Sequence, residues 1–224
     1  DLGLKDKWGG QIVASRELAV DLYLPEIAEF QAAIGARAVD VGFHEVQLDY
    51  IRFPDSISPR YVNHRGENTP ESRSATVAAV LAAVKGAVNE RGGVLAMDCF
   101  GYTAWKQNGD QGIGQLLEIV GPYVDVLSPM AYPSTYGAGL QEPCPGGCKP
   151  ATKYPYKIVY WTVYRALERL AVVNPGAIVR PWVQAYTPLV KNADVAKQIL
   201  AANEAGALGA MCWNDYGIYP RLYP

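Results

Sequence analysis

Five times along the chain a helical pattern leads into a short apolar run that ends in polar or aromatic residues. The helical patterns lie at 25–41, 69–90, 115–120, 156–172 and 194–205, and the runs at 43–51, 94–100, 124–130, 178–186 and 207–213. This rhythm predicts parallel strands joined by helical crossovers rather than a sandwich. Ile27, Phe30, Ile34, Ala38 and Val41 recur at helical spacing, and Gly42 closes the first helix. Thr69 reads as an N-cap with Pro70 in the first helical position. Residues 1–24 read as a short hairpin or a long loop. Neither a repeat nor a low-complexity linker divides the chain, so residues 1–224 are expected to form one domain.

The strand at 43–51 narrows the choice further. Val46, Leu48 and Tyr50 share one face, and Glu45, Gln47 and Asp49 the other. A half-exposed antiparallel strand would alternate in the same way, but the helix–strand rhythm favours a parallel barrel whose polar face points into the lumen. Asp49 then stands near the C-terminal end of its strand, where such barrels keep their chemistry, with Arg52 on the rim. A closed barrel has eight strands and about 250 residues. Five strands predict either an open sheet or, as preferred here, a (β/α)8 TIM barrel lacking about three N-terminal strands. The strand at 43–51 should then have an open edge, or be covered by an N-terminal segment or a second chain. The opening Asp1-Leu2-Gly3-Leu4-Lys5-Asp6 is no signal peptide and reads as the middle of something longer.

A net charge of -2 gives no reason to expect nucleic acid. The longest apolar run, around 75–84, falls well short of the roughly 20 residues of a membrane helix. Cys144 and Cys148 bracket Pro145-Gly146-Gly147 and read as a disulfide-closed loop bordering the cleft, which favours a secreted or cell-envelope protein. Cys99 and Cys212 fall inside strand runs and read as buried free thiols. His44 and His64 are the only histidines, so neither a His-based metal site nor a Ser/His/Asp triad is expected, and no cofactor is expected either. Several of the 15 tyrosines and 5 tryptophans fall at strand ends, where they could serve as sugar platforms or as ordinary core.

The run Gly42-Phe43-His44-Glu45-Val46-Gln47-Leu48-Asp49-Tyr50-Ile51-Arg52-Phe53-Pro54 resembles the signature of the glycosyl hydrolase barrels known as domain of unknown function 4015. Asp98-Cys99-Phe100-Gly101-Tyr102, the segment from Tyr123 to Ser134, Pro181-Trp182-Val183-Gln184 and Met211-Cys212-Trp213-Asn214 follow in the matching order. The resemblance covers nearly the whole chain. It implies a partial TIM barrel and a glycosidase acting on a polysaccharide or oligosaccharide, without naming the sugar. More distantly, Met130, Tyr132 and Trp213 look like the sugar-cradling positions of chitinase-type barrels. The chain lacks the DxxDxDxE run of those enzymes, so their substrate-assisted mechanism is not carried over.

Glycoside hydrolysis needs two carboxyl groups, one to protonate the leaving oxygen and one to attack or activate water. Asp49 and Asp98 lie at the C-terminal ends of consecutive strands, inward by parity with Gln47 and Ala96. The expectation is Asp49 as nucleophile beside Arg52, and Asp98 as acid/base between apolar Met97 and Phe100. Adjacent strands would hold the two near the roughly 5–5.5 Å of retaining enzymes. Arg52, Tyr102, Met130, Tyr132, Trp182, Gln184 and Trp213 are the expected substrate-binding residues. Asp125 reads as structural, Glu45 and Arg180 as low buried ionic partners, and Asp215 and Glu142 as reserve acids. Lys106, Lys153, Lys157 and Lys191 lie in loops or helix starts, which argues against a Schiff-base enzyme. The alternative is a non-catalytic carbohydrate-binding barrel or scaffold module that keeps the aromatic cleft.

Overall fold

The structure, a computed structural model, describes residues 2–14, 17–65, 67–136, 147–189 and 191–219. In chain order the elements are β1 (Val13–Ala14), β2 (Glu17–Leu18), α1 (Pro25–Asp40), β3 (Glu45–Leu48), α2 (Pro70–Asn89), β4 (Val94–Phe100) and α3 (Gly101–Trp105). There follow α4 (Leu117–Val120), β5 (Val126–Ala131), α5 (Pro155–Val173), β6 (Ile178–Val179), β7 (Trp182–Gln184), α6 (Asn192–Glu204) and β8 (Met211–Trp213). The chain divides into two compact units, Asp1–Met97 with Lys106–Asp125, and Asp98–Trp105 with Val126–Pro224. Strand β4 runs through both.

In unit 1 the first residues form a hairpin, one of the two readings the sequence left open, with β1 and β2 antiparallel and further bridges pairing Gly3 with Val20 and Lys5 with Gln11. Helix α2 starts as its sequence predicts: Thr69 Oγ1 accepts the Ser72 amide at 3.1 Å, and Pro70 opens the first turn. It buries Val77, Leu81, Val84 and Val88 completely. Helix α1 differs from its pattern. Ile27, Gly35 and Ala36 are buried, while Phe30 (61% exposed), Ile34 and Val41 face outward, so the apolar stripe is packed only at Ile27 and, in part, at Ala38. Gly42 has φ 106°, a left-handed end that glycine adopts without strain.

The sheet is parallel throughout. Glu45 to Leu48 pair in register with Val94 to Met97, and in unit 2 β5 pairs with β6 and β7, and β7 with β8. The order β3-β4-β5-β7-β8 follows the chain without reversal. That is the winding of an α/β barrel, whereas a doubly wound sheet reverses at a switch point. Strands β6 and β7 occupy one position, broken at Pro181, which has no amide to donate to the ladder. The described residues thus supply five strand positions of an incomplete barrel. Leu95, Ala96, Met97 and Cys99 of β4 are fully buried, as a strand covered on both faces requires.

Several boundaries move from the sequence reading. Strand β3 stops at Leu48 rather than 51, and β8 begins only at Met211, leaving Leu208 64% exposed. A short helix, α3, follows β4 directly where a loop was expected. Gly101 starts it because a Cβ there would stand 2.1 Å from the Tyr136 hydroxyl and 2.5 Å from the Met130 carbonyl oxygen. In unit 2, Thr162 of α5 donates to the Ile158 carbonyl (2.7 Å). Its oxygen can then accept from Trp105 Nε1 (2.9 Å) and from the buried Tyr136 hydroxyl (2.8 Å).

Candidate active site

In unit 1, Asp49 is the residue after Leu48, and its carboxylate is exposed. Asp49 Oδ1 accepts the Tyr50 amide at 2.8 Å. Tyr50 takes φ 54°, a conformation uncommon for a residue with a Cβ. This turn ends the strand's alternation: Tyr50, expected on the apolar face with Val46 and Leu48, is 65% exposed instead. Arg52 follows the turn with its guanidinium 5.0 Å from the Tyr50 ring centre. It forms an ion pair with Asp55 (3.1 Å) and donates to the Phe53 carbonyl (3.3 Å). The carboxylate pairing that the sequence assigned to Asp49 is thus made with Asp55.

In unit 2 the end of β4 carries Asp98, only 5% exposed. Trp182 Nε1–H donates to Asp98 Oδ1 at 2.8 Å. The register sets Met130, Trp182 and Met211 abreast, and Gln184 beside Trp213. The Trp182 and Trp213 rings meet edge to face with centres 5.9 Å apart, and Trp213 is 44% exposed. Met130 and Tyr132 are half-buried, and the Tyr132 ring lies 5.7 Å from that of Tyr186. Unit 2 therefore brings a buried carboxylate and two indoles together at the strand ends, with a tyrosine pair following the same edge.

Two expected sugar contacts are committed elsewhere. Gln184 is fully buried; its Oε1 accepts the Ser134 amide (3.0 Å) and its Nε2 donates to the Tyr186 and Thr187 carbonyls (3.2 Å each). Gln198 of α6 brackets the same residue by accepting its amide (2.9 Å) and donating to its carbonyl (2.8 Å). Gln184 holds rim loops together rather than facing a ligand. Tyr102 donates its hydroxyl to the Tyr136 carbonyl (2.8 Å), with ring centres 4.8 Å apart, and burial pushes its phenol above the ordinary range. It ties α3 to the loop after β5.

Cys148 is disulfide-bonded, while Cys99 and Cys212 are free. Cys144 and Glu142 lie outside the described residues. Burial, followed by the nearby Asp98 charge, pushes the Cys99 thiol up, so it stays protonated. Asp215 is exposed on the loop after β8. Asp125 joins Leu95, Asn89 and Lys85: its carboxylate accepts the Leu95 amide and Asn89 Nδ2 (both 2.9 Å) and pairs with Lys85 (2.8 Å). Burial would raise its pKa, but these three donors together hold it below the usual carboxylate range. Among the described residues no three His, Cys, Asp or Glu side chains converge as metal ligands.

Sequence reasoning passed over a buried ion pair in unit 1. Arg73 donates to both oxygens of Asp110 (2.6 and 2.7 Å), and Asp110 also accepts the Gly112 (3.0 Å) and Gly114 (2.8 Å) amides. Its signal was present: an Asp within a glycine-rich loop can satisfy successive backbone amides.

Residues 3–219 match the family DUF4015, described as "Putative glycosyl hydrolase domain". No curated protein matches the chain. Among solved structures, the PgaB (BpsB) glycoside hydrolase domain from Bordetella bronchiseptica is similar at 14% identity and TM-score 0.42, over 86% of this chain and 41% of that one. A GH18 chitinase from Pseudoalteromonas aurantia is similar at 12% identity and TM-score 0.45, over 84% of this chain and 61% of that one. The chain spans less than two thirds of either structure's own length.

Proposed function

Since the chain belongs to this glycosyl hydrolase family, we propose that it hydrolyses glycosidic bonds in an oligosaccharide or polysaccharide, with Asp98 as acid/base. The observation that carries this reading is the buried Asp98 carboxylate held at 2.8 Å by the Trp182 indole N–H, next to the half-exposed Trp213 ring. Trp213 offers a flat apolar face for the C–H side of a sugar ring. The hydrogen bond fixes the plane of the carboxylate, and a proton must leave it along a defined direction to reach the glycosidic oxygen. Asp49 is the proposed second carboxylate. With Asp49 as nucleophile, the glycosidic bond breaks as its oxygen bonds the anomeric carbon. Water, deprotonated by Asp98, then releases the sugar with its configuration retained.

The disulfide at Cys148 supports an oxidising location, so the proposed site of action is outside the cell or in its envelope. Among the described residues no helix is long and apolar enough to cross a membrane. Among the described residues β3 ends the sheet, and exposed Phe30, Ile34, Val41 and Phe43 lie on α1 and the segment leading into β3. This supports a covering segment of the same polypeptide or a second chain.

The test is a screen against bacterial and plant polysaccharides read by new reducing ends, with Asp98→Asn and Asp49→Asn variants. Turnover is expected to fall at least about 100-fold in each, the usual scale for a general acid or base, with binding retained. Asp98→Asn should keep partial activity on substrates whose leaving group needs no proton. Full activity in both variants would overturn the assignment. Binding without release of product by the unmodified protein would select a carbohydrate-binding module instead.

A further inference from the structure

Beyond Trp213, unit 2 contains a cleft of about 590 Å³ lined by Tyr186, Asn192, Asn214, Asp215, Tyr216 and Tyr219 among others. Its volume lies in the usual range of small-ligand sites. The loop that walls it is built rather than slack. Asn214 is buried; its Nδ2 donates to the Ala185 carbonyl (2.6 Å), and its Oδ1 accepts the Tyr216 (2.9 Å) and Ile218 (3.2 Å) amides. That turn carries Tyr216 and Tyr219 outward, 82% and 51% exposed. Their rings cover little of the protein's own core, so the core does not explain them.

The lining selects a chemistry. Among the described residues lining the cleft no side chain is cationic, and one, Asp215, is a carboxylate, so phosphate, sulfate and acidic sugars are disfavoured there. Burial raises the Tyr186 phenol; the Ser134 hydroxyl partly offsets this, and the Asp215 charge adds to it. Aromatic rings with hydroxyls, an amide and a single carboxylate suit a ligand with apolar C–H faces and many hydroxyls. A neutral sugar ring has both.

A chain of contacts links the cleft loop to the proposed catalytic residue inside the same unit. Asp98 meets Trp182, Trp182 meets Trp213, and Trp213 is followed directly by Asn214 of the cleft loop. On the other side Tyr186, a lining residue, contacts Tyr132 and accepts from Ser134 Oγ at 3.3 Å. We propose that the loop at 214–219 forms an outer saccharide subsite, so that the ligand is an uncharged sugar chain running from Trp213 into the cleft. This rests on the glycosidase reading for the role of Asp98, but the subsite itself is a matter of binding.

The experiment titrates the protein with cello-, chito- and malto-oligosaccharides of two to six units, read by calorimetry, with released reducing ends measured in parallel. One series should bind about tenfold or more tightly as it lengthens. In the Tyr216→Ala/Tyr219→Ala variant the longest member should bind no tighter than the shortest. Both side chains are exposed, so the variant should fold, and an unchanged melting temperature would verify that. Affinity independent of length, no binding in any series, or a length gain that survives the substitutions would overturn the subsite. Length-dependent binding without product would leave the subsite standing and remove the glycosidase reading instead.

Discussion

Trp182 and Trp213 touch each other but should fail differently when changed. Trp182 donates to Asp98, whereas Trp213 presents 44% of its surface to solvent. Trp182→Phe keeps a ring and removes the donor, a hydrogen bond to a charged group worth about 1.5–3 kcal/mol. It should therefore lower kcat by roughly 10- to 100-fold with little change in KM. Trp213→Ala removes a platform and should raise KM while largely sparing kcat. The reverse pattern in steady-state kinetics would show that Trp182 is a sugar contact and not a positioning residue. These strand-end aromatics were legible in the sequence because position at a strand end alone brings them to the rim. Gln184 shares that position, but its burial depends on Ser134 and Gln198, which reach it from other segments, and on Thr187 in the loop after β7. Strand periodicity carries no trace of what folds over a residue.

Elements differ in how much of themselves they encode. Helix α2 has its cap, its proline and its buried stripe in the sequence, all local features. Helix α1 shows an apolar stripe that is buried at Ile27 but exposed at Phe30 and Ile34, because periodicity reports a face fit for burial and not how much of it is covered. The loop at 109–114 is rich in glycine, yet Asp110 fastens it to α2 through Arg73, with both side chains nearly inaccessible at 2% and 7%. Asp110→Ala would leave the Arg73 guanidinium buried without its counter-charge, a loss of about 3–5 kcal/mol. Replacing both by apolar residues of similar volume, as in Arg73→Met/Asp110→Leu, should recover much of that. Urea unfolding of Arg73→Met, Asp110→Leu and the double variant measures the coupling. If the single and double variants lost equal stability, the pair would be holding the loop through its backbone bonds and not through its charges.

For the molecule as a whole, displaced titrations in unit 1 give folding a dependence on pH. His64 Nε2 donates to the Pro59 carbonyl at 2.9 Å, since a carbonyl can only accept, and Nδ1 lies 2.7 Å from the Tyr23 hydroxyl, from which it accepts when the ring is neutral. Burial lowers its pKa below the ordinary value; the Pro59 carbonyl opposes this, the Arg73 charge reinforces it, and Asp110 opposes it again. A histidine whose folded pKa is lowered binds fewer protons folded than unfolded, so its contribution is present above about 6.5 and is lost as pH falls through the lowered value. Asp110 and Asp125 act in the same direction further down. Their folded values are depressed, so their stabilisation is present above about 3.9 and is lost as pH falls below it. Acidification should thus weaken folding in two stages, one below about 6.5 and one below about 3.9. The urea midpoint measured from pH 7.5 to 3 should fall through both, and His64→Gln should remove the first stage while leaving the second. A midpoint that rose between pH 7 and 5, or a first stage that persisted without His64, would mean that another group controls the acid response.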